Sequence, residues 1–309
     1  MPLTSIIERE EIVMMSPSEK RKDEMYKAYM EFFDLAEKNR RWHPLHDLEW
    51  EYLETPKNSQ DIRNGEGIAA DEEMAICLES FCAVELFIPD YTAAGLNMTR
   101  DIFGQSWFHL SWGYEESKHA MSFRKYLIDS GLRTEQQYLD FESRVLEKKW
   151  TTPFRTYRQM ACYGALQEIA TYLIYQQQHR RQEQSGNPLL KQIFYYISRD
   201  EAAHTALYRK FLAYEFSEDR EGTEEDLAYV ISCFQMPGVE VLPDYEERVK
   251  TDGVGITPAS FMENGVMKTL RYYGMDRRSM TRALHRYRNG RMKTQEPELA
   301  MPKAAAAVN

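Results

Sequence analysis

Two segments of the chain repeat one spacing of side chains that can bind metal ions. In each segment a histidine follows a glutamate by three residues, and each pair is preceded, at almost the same distance, by an isolated glutamate in an apolar stretch. In chain order these residues are Glu85, Glu116, His119, Glu168, Glu201 and His204. Residues i and i+3 lie on one face of a helix, so each Glu-x-x-His pair can bind a single ion. The order therefore predicts a ligand-bearing helix hairpin that occurs twice.

Four carboxylates and two imidazoles on four helices are typical of the dinuclear site inside a ferritin-like bundle. A single Glu-x-x-His would be weak evidence, because such motifs arise by chance on solvated helix faces. The isolated glutamates are stronger evidence. Glu85 and Glu168 lie among Val, Leu, Ile and Phe with no Lys or Arg one turn away, where an unpaired buried carboxylate would be costly. We therefore predict an all-α fold, a ferritin-like four-helix di-iron bundle extended by additional helices.

The ligand set also indicates which metal binds. Carboxylates are hard ligands that favour iron or manganese, whereas zinc sites use more nitrogen or sulfur. We predict two Fe²⁺ ions in a di-iron centre, with manganese as the alternative. Each ion would have one isolated glutamate and one histidine, and the glutamates of the two Glu-x-x-His pairs would bridge the ions.

Composition and charge argue against several other classes of protein. The net charge of −10 and the pI near 5.4 argue against general nucleic-acid binding, which needs a basic surface. No apolar run is long enough for a membrane span, and the N-terminus has neither a signal-peptide nor a transit-peptide pattern. The four cysteines follow no metal or disulfide spacing, so we expect a reducing cytoplasm.

The domain organisation follows from the position of the metal motif. A chain of 309 residues could form one large domain or two small ones. Because the motif spans the middle of the chain, we predict a single domain over residues 1–289. Residues 290–309 show no apolar periodicity and are expected to form a disordered tail.

Beyond the ligands, several segments resemble the soluble acyl-carrier-protein desaturases, which are type 2 fatty acid desaturases of the ferritin-like di-iron superfamily. The similarity covers roughly residues 36–240. The segments that carry it are Trp42-His43-Pro44, Glu85-Leu86-Phe87-Ile88-Pro89, Glu115-Glu116-Ser117-Lys118-His119, Gln167-Glu168-Ile169-Ala170-Thr171 and Asp200-Glu201-Ala202-Ala203-His204. The chain departs from the family at Ile169, where a basic residue is usual, and beyond residue 240. These departures leave the acyl chain length and the double-bond position open.

The resemblance implies an oxidoreductase that introduces a double bond into a fatty acyl chain tethered to acyl carrier protein. It would use O₂ and electrons from a reduced ferredoxin, and it would be a homodimer. Trp42, Asp200 and His119 would form a hydrogen-bonded route for electrons to the irons. Thr171 would place a hydroxyl beside the oxygen-binding face and take part in proton delivery.

Other functions of the same scaffold make different demands on the sequence. The main alternative is a di-iron oxygenase, a hydroxylase or N-oxygenase acting on a carrier-tethered biosynthetic substrate, which would need the same ligands. An iron-storage protein is disfavoured, because such chains are much shorter and usually lack the second Glu-x-x-His. A ribonucleotide reductase radical subunit is also disfavoured, since it needs a tyrosine where this chain has Phe123.

Two basic clusters stand out in this acidic chain. One consists of Lys38, Arg40 and Arg41, directly before Trp42, and the other of Arg278, Arg282 and Arg286 on one face of the last predicted helix. An acidic carrier protein must approach an enzyme of like net charge, which requires a local positive patch. We predict the first cluster as the docking site, because the matching region of the family lies beside the mouth of the substrate channel.

Overall fold

The structure is a computed structural model that describes residues 18–55, 71–236, 238–251 and 253–294. Within these ranges the chain contains no β-strand, and no helix there is both long and apolar enough to cross a membrane. The longer helices are α1 (Glu19–Asn39), α2 (Glu72–Glu85), α3 (Ile88–Thr99), α4 (Phe103–Asp129), α5 (Glu135–Leu146), α6 (Tyr157–Ser185), α7 (Pro188–Glu218) and α8 (Arg220–Cys233). They are followed by α9 (Gly238–Val241), α10 (Tyr245–Arg248), α11 (Pro258–Phe261), α12 (Met267–Tyr272) and α13 (Arg277–Thr294), with a 3-10 turn at Trp50–Glu54 and a π turn at Met262–Val266.

The four helices that carry the predicted ligands form the centre of the molecule. Helix α6 packs along α7, α2 packs along α4, and α1 lies against both α4 and α7. Helices α8 and α13 pack against each other, and α8 covers α6 and α7. The predicted all-α fold, a four-helix bundle extended by further helices, is confirmed.

A tight connection places α6 and α7 side by side. Gly186 ends α6 with a φ of 78°, a left-handed conformation that glycine adopts without a Cβ clash. The side chain of Asn187 then accepts a hydrogen bond from the backbone N–H of Leu190, and Pro188 starts α7. The two helices therefore run antiparallel, and their ligands face each other midway along the bundle.

Aromatic layers enclose the middle of the bundle on both sides. One layer is built from Phe81, Phe123, Tyr175 and Phe194, whose ring centroids lie 5.2–6.2 Å apart. The other layer includes Phe108, Trp112, Tyr208 and Phe211. Burial of each such side chain contributes roughly 1.5–3 kcal/mol to stability. The layers also exclude water from the space between them.

The C-terminal end of the described chain differs from the prediction. Helix α13 continues through Gly290 to Thr294, so residues 290–294 are helical rather than part of a disordered tail. The preceding turns of α13 pack on α8, where Ala283 is fully buried and Tyr287 stacks on Tyr229 with a centroid distance of 4.4 Å. Residues 1–17 of the predicted domain and 295–309 of the predicted tail lie outside the described residues.

Candidate metal centre

The six predicted ligand side chains meet in the middle of the bundle, where none is more than 7% exposed. They form two overlapping groups, in each of which the ligand atoms lie within 4.8 Å of one another. One group consists of Glu85, Glu116, His119 and Glu201, and the other of Glu116, Glu168, Glu201 and His204. Because Glu116 and Glu201 belong to both groups, the arrangement suits two ions joined by two carboxylates.

The oxygens of each shared carboxylate face different histidines. Glu116 Oε2 lies 2.9 Å from His119 Nδ1, and its Oε1 lies 3.0 Å from His204 Nδ1. The oxygens of Glu201 are arranged in the same way: Oε1 lies 3.7 Å from His119 Nδ1, and Oε2 lies 3.8 Å from His204 Nδ1. A carboxylate directed towards two separate nitrogen ligands is placed to bridge two ions.

Several of the facing atoms have no hydrogen bond to any described residue. They are Glu116 Oε1, Glu168 Oε2, Glu201 Oε2 and the Nδ1 atoms of His119 and His204. Buried polar atoms normally have such partners. These atoms instead approach one another without hydrogen-bond geometry, as the ligands of a common ion do, so the residues fit a dinuclear metal site.

The electrostatics of the cluster also favour cations. Burial, together with the nearby Glu116 carboxylate, raises the pKa of Glu85 to about 8 and raises the pKa of Glu201 well above its usual value. The raised pKa values mean that Glu85 and Glu201 resist ionisation together with the neighbouring carboxylates unless positive charge is added. Two divalent cations would neutralise them, and oxygen-rich ligands suit iron or manganese.

Each histidine ligand is held from behind by a carboxylate of the opposite hairpin. His119 Nε2 lies 3.3 Å from Asp200 Oδ2, and His204 Nε2 lies 2.7 Å from Glu115 Oε2. Donation from Nε2–H to these carboxylates leaves each Nδ1 lone pair facing the cluster and fixes the ring orientation. We predicted Asp200 from the sequence but not Glu115. The signal was present, because Glu115 precedes its ligand glutamate as Asp200 precedes Glu201.

Arg40 joins these two outer carboxylates. Its Nη1 donates to Glu115 Oε2 at 2.9 Å and to Asp200 Oδ1 at 2.6 Å, and its side chain is only 10% exposed. Arg41 donates to Glu115 Oε1 at 2.7 Å, whereas Lys38 lies on the surface. In the predicted docking cluster, Arg40 therefore lies in the interior and Lys38 on the surface. The buried ion pairs of Arg40 make this residue inaccessible to a partner protein.

Trp42 lies at the outer end of a continuous hydrogen-bonded chain. Its Nε1 donates to Asp200 Oδ2 at 2.7 Å, the same oxygen that faces His119. The buried indole is nearly parallel to the His119 imidazole, with a centroid distance of 6.4 Å. The Lys118 ammonium, which we did not predict from the sequence, lies 4.7 Å from the indole centroid and 3.3 Å from Asp200 Oδ2. The structure thus brings Trp42, Asp200 and His119 together.

Thr171 borders an apolar cavity of about 120 Å³ between α2, α6 and the segment that contains α9 and α10. Its hydroxyl donates to backbone carbonyls of its own helix, 3.2 Å from Gln167 O and 3.1 Å from Glu168 O. Tyr175 lines the same cavity and donates to Glu85 Oε1 at 3.4 Å. Tyr175 therefore connects the wall of the cavity to the predicted ligand Glu85.

The two isolated glutamates each receive one hydrogen bond from an aromatic residue. Tyr175 donates to Glu85, and Trp112 Nε1 donates to Glu168 Oε1 at 2.9 Å. Each bond orients one carboxylate oxygen and leaves the other for the cluster. We did not predict either donor, because a buried aromatic at helical spacing has the same pattern as ordinary core.

Comparison with known proteins identifies relatives of the chain. A family model described as fatty acid desaturase matches residues 21–252. The "Putative acyl-[acyl-carrier-protein] desaturase DesA1" of Mycobacterium tuberculosis is 25% identical over 199 residues, which are 60% of this chain and 56% of that protein. The acyl-[acyl-carrier-protein] 6-desaturase of Thunbergia alata is 29% identical over 170 residues, 52% of this chain and 43% of that protein. The chain thus spans about half the length of these curated relatives.

A solved structure shares the fold. The match to a protein described as "putative acyl-ACP desaturase DesA2", also from Mycobacterium tuberculosis, has a TM-score of 0.56 at 14% identity and covers 85% of this chain and 99% of that one. At this identity the likeness concerns the fold alone, and it agrees with the predicted ferritin-like bundle. The family-model match covers more than half of the chain and includes all six ligand positions. The chain therefore belongs to the fatty acid desaturase family.

Proposed function

We propose that the protein is an O₂-dependent di-iron desaturase that introduces a double bond into a fatty acyl chain tethered to acyl carrier protein. One observation carries this proposal: an apolar cavity is lined by Tyr175, whose hydroxyl bonds to Glu85 of a buried cluster of four carboxylates and two imidazoles. When bound, two Fe²⁺ ions would supply the reduction of O₂ that an attack on an unactivated C–H bond requires. The protein supplies ligands, orientation and a dry site.

The reaction balances with one molecule of O₂. The acyl chain loses two hydrogen atoms, which amount to two protons and two electrons. Reduced ferredoxin supplies two further electrons in one-electron steps, solvent supplies two protons, and the O₂ leaves as two water molecules. The hydrogen-bonded chain of Trp42, Asp200 and His119 supports an electron route, because it runs without a break from the segment that follows α1 to a ligand of the cluster. Stacking of Tyr196 on Trp42, with a centroid distance of 5.2 Å, extends the route outward.

Two hydroxyl groups support proton delivery at the cavity wall. Among the described residues, Thr171 Oγ1 bonds to two carbonyl oxygens of its own helix, so rotation about its side chain can turn the proton towards the cavity. The Tyr175 hydroxyl directs its proton at Glu85, to which it donates a hydrogen bond. The rest of the wall is mainly apolar, which suits a hydrocarbon chain and excludes water during the oxidation.

An exposed apolar stripe supports a homodimer. On α4 the residues Phe103, Trp107, Leu110 and Tyr114 recur at helical spacing and are 42–63% exposed, and Tyr26 of α1 lies against Trp107. Contiguous apolar surface of this kind is typical of contacts between subunits. Lys38 and Arg41 remain candidates for contact with the acidic carrier protein. The described cysteines are all free thiols, which supports a cytoplasmic location.

The decisive experiment is product analysis with acyl-carrier substrates. Iron-loaded protein, ferredoxin and its reductase are incubated with a panel of acyl carrier proteins, and the acyl chains are examined by mass spectrometry. A product that has lost two hydrogens supports a desaturase, whereas a product that has gained one oxygen would make the protein a hydroxylase.

A matched pair of variants on α6 connects the product to the metal centre. Glu168→Ala removes a buried ligand, so iron content and product should both fall by most of their wild-type value. Glu183→Ala makes the same change at an exposed position of the same helix and should leave both unchanged. Full iron content in Glu168→Ala would contradict the proposed site.

A further inference from the structure

A second cavity, of about 30 Å³, lies between α3, α4, α6 and α7. Its wall includes Trp112, which donates to Glu168, and Gln167, which precedes Glu168 in the chain. The first cavity begins one helical turn further along α6, at Thr171. The two cavities therefore lie on either side of the same metal ligand.

One face of α6 lines both cavities in succession. Tyr175 and Thr171 border the first cavity, and Gln167, Gly164 and Met160 border the second. These residues recur at intervals of three or four, which keeps them on one side of the helix. At 1.5 Å per residue the stretch is roughly 22 Å long. An acyl chain that ran along this face from the first cavity would pass the position of Glu168 and reach the second cavity.

The imidazole of His109 lines this second cavity and is 1% exposed. Among the described residues, none forms a hydrogen bond with either ring nitrogen. Its ring neighbours are aromatic, with centroids 5.6 Å away at Tyr157, 6.3 Å at Trp112 and 6.5 Å at Tyr208. Burial lowers the pKa of His109 to about 3, so the ring is neutral and offers one donor and one acceptor.

The backbone makes room for this polar ring. A Cβ on Gly95 of α3 would lie 2.5 Å from His109 Nδ1, and a Cβ on Gly164 of α6 would lie 2.5 Å from the Tyr208 ring. Glycines at both positions let the helices approach while the imidazole and the cavity remain. A polar group kept in an apolar layer without a partner has a cost in stability, which a ligand with a matching group would offset.

We propose that the acyl substrate carries a hydroxyl group at its far end and that His109 binds it. The cavity volume suits one water-sized group and is too small for a large headgroup. A hydroxyl can accept from a ring nitrogen that carries the proton or donate to one that does not, so it can bond the nitrogen it faces in either tautomer. His109 is then a specificity-determining residue in the second cavity. This inference rests on the proposed function and names the substrate class of the same site.

The test compares two acyl-carrier substrates of equal chain length, one ending in a methyl group and one in a hydroxymethyl group. Several chain lengths are used, and both kcat/KM and the dissociation constant for the iron-loaded protein are measured. We expect wild type to prefer the hydroxylated chain by about tenfold or more at the optimal length, since a site built to bond a hydroxyl rejects the analogue that lacks it. Equal values at every length would overturn the inference.

Three variants assign the preference to His109. His109→Leu should lose it, and His109→Gln, which keeps a donor and an acceptor, should retain part of it. His285→Leu makes the same change at an exposed position and should behave like wild type. A preference that survives in His109→Leu would show that another group binds the hydroxyl. A preference in binding without desaturation of either substrate would refute the proposed function and leave this inference standing.

Discussion

Replacement of Arg40 by glutamine tests whether this residue stabilises the metal centre or contacts a partner. Its guanidinium donates to Glu115 and Asp200, whose side chains are 1% and 0% exposed. Removing one member of a buried ion pair costs roughly 3–5 kcal/mol, because the remaining charge stays desolvated. Glu115 keeps its bond to Arg41, and Asp200 keeps its contact with Lys118. We therefore expect the lower end of that range, about 3 kcal/mol.

The free energy of unfolding is measured by urea denaturation of the iron-loaded protein. Arg41→Gln is the matched control, because Arg41 is 27% exposed and its loss should cost about 1 kcal/mol or less. The Arg40 variant should also bind iron more weakly, since both carboxylates that orient the histidine ligands lose a partner. An Arg40 variant with wild-type stability and iron content but a raised KM for the acyl carrier protein would refute this reasoning and restore Arg40 as a docking residue.

Three further predictions address the electron route, proton delivery and pH. Trp42→Phe removes the donor to Asp200, so ferredoxin-dependent turnover should slow while chemically reduced protein still completes a single turnover; equal losses in both assays would indicate a packing role instead. Thr171→Val should release more hydrogen peroxide per product with unchanged substrate affinity, and unchanged coupling would make Thr171 purely structural. Burial lowers the pKa of His109 to about 3, below its value in the unfolded chain. The contribution of the neutral imidazole to stability is therefore fully present above about pH 6.5 and is lost as the pH falls below that value. Between about pH 7 and pH 5, wild type should therefore lose about 2 kcal/mol more unfolding free energy than His109→Leu, as measured by urea denaturation at each pH, and parallel pH profiles would contradict this.

The fold and the ligand positions were accessible from the sequence because they depend on local periodicity. A Glu-x-x-His pair on a helix determines which face turns inward, and the repeat of the pair defines two hairpins. Trp42 and Asp200 were predictable from the family resemblance. The structure places all of these side chains in one buried assembly.

The surroundings of the ligands were not accessible, because they depend on contacts between distant parts of the chain. Arg40 and Asp200 are separated by 160 residues, and nothing beside Arg40 in the chain shows that two buried carboxylates lie beneath it. A basic cluster is usually solvated, so its residues were assigned to the surface. His109 has the spacing of an ordinary core residue, and only the packing of four helices reveals the cavity beside it.

Each histidine ligand is oriented by a carboxylate of the opposite hairpin, which gives the centre approximate twofold symmetry. Asp200 of the second hairpin supports His119 of the first, and Glu115 of the first supports His204 of the second. Neither hairpin can therefore orient its own histidine, and the two must dock before either half-site has its final geometry. Trp42 breaks the symmetry, because its indole donates to Asp200 and not to Glu115, whereas Arg41 donates to Glu115. Two ions with like ligands would thus be inequivalent, and an electron arriving through the indole would reach the His119 side first.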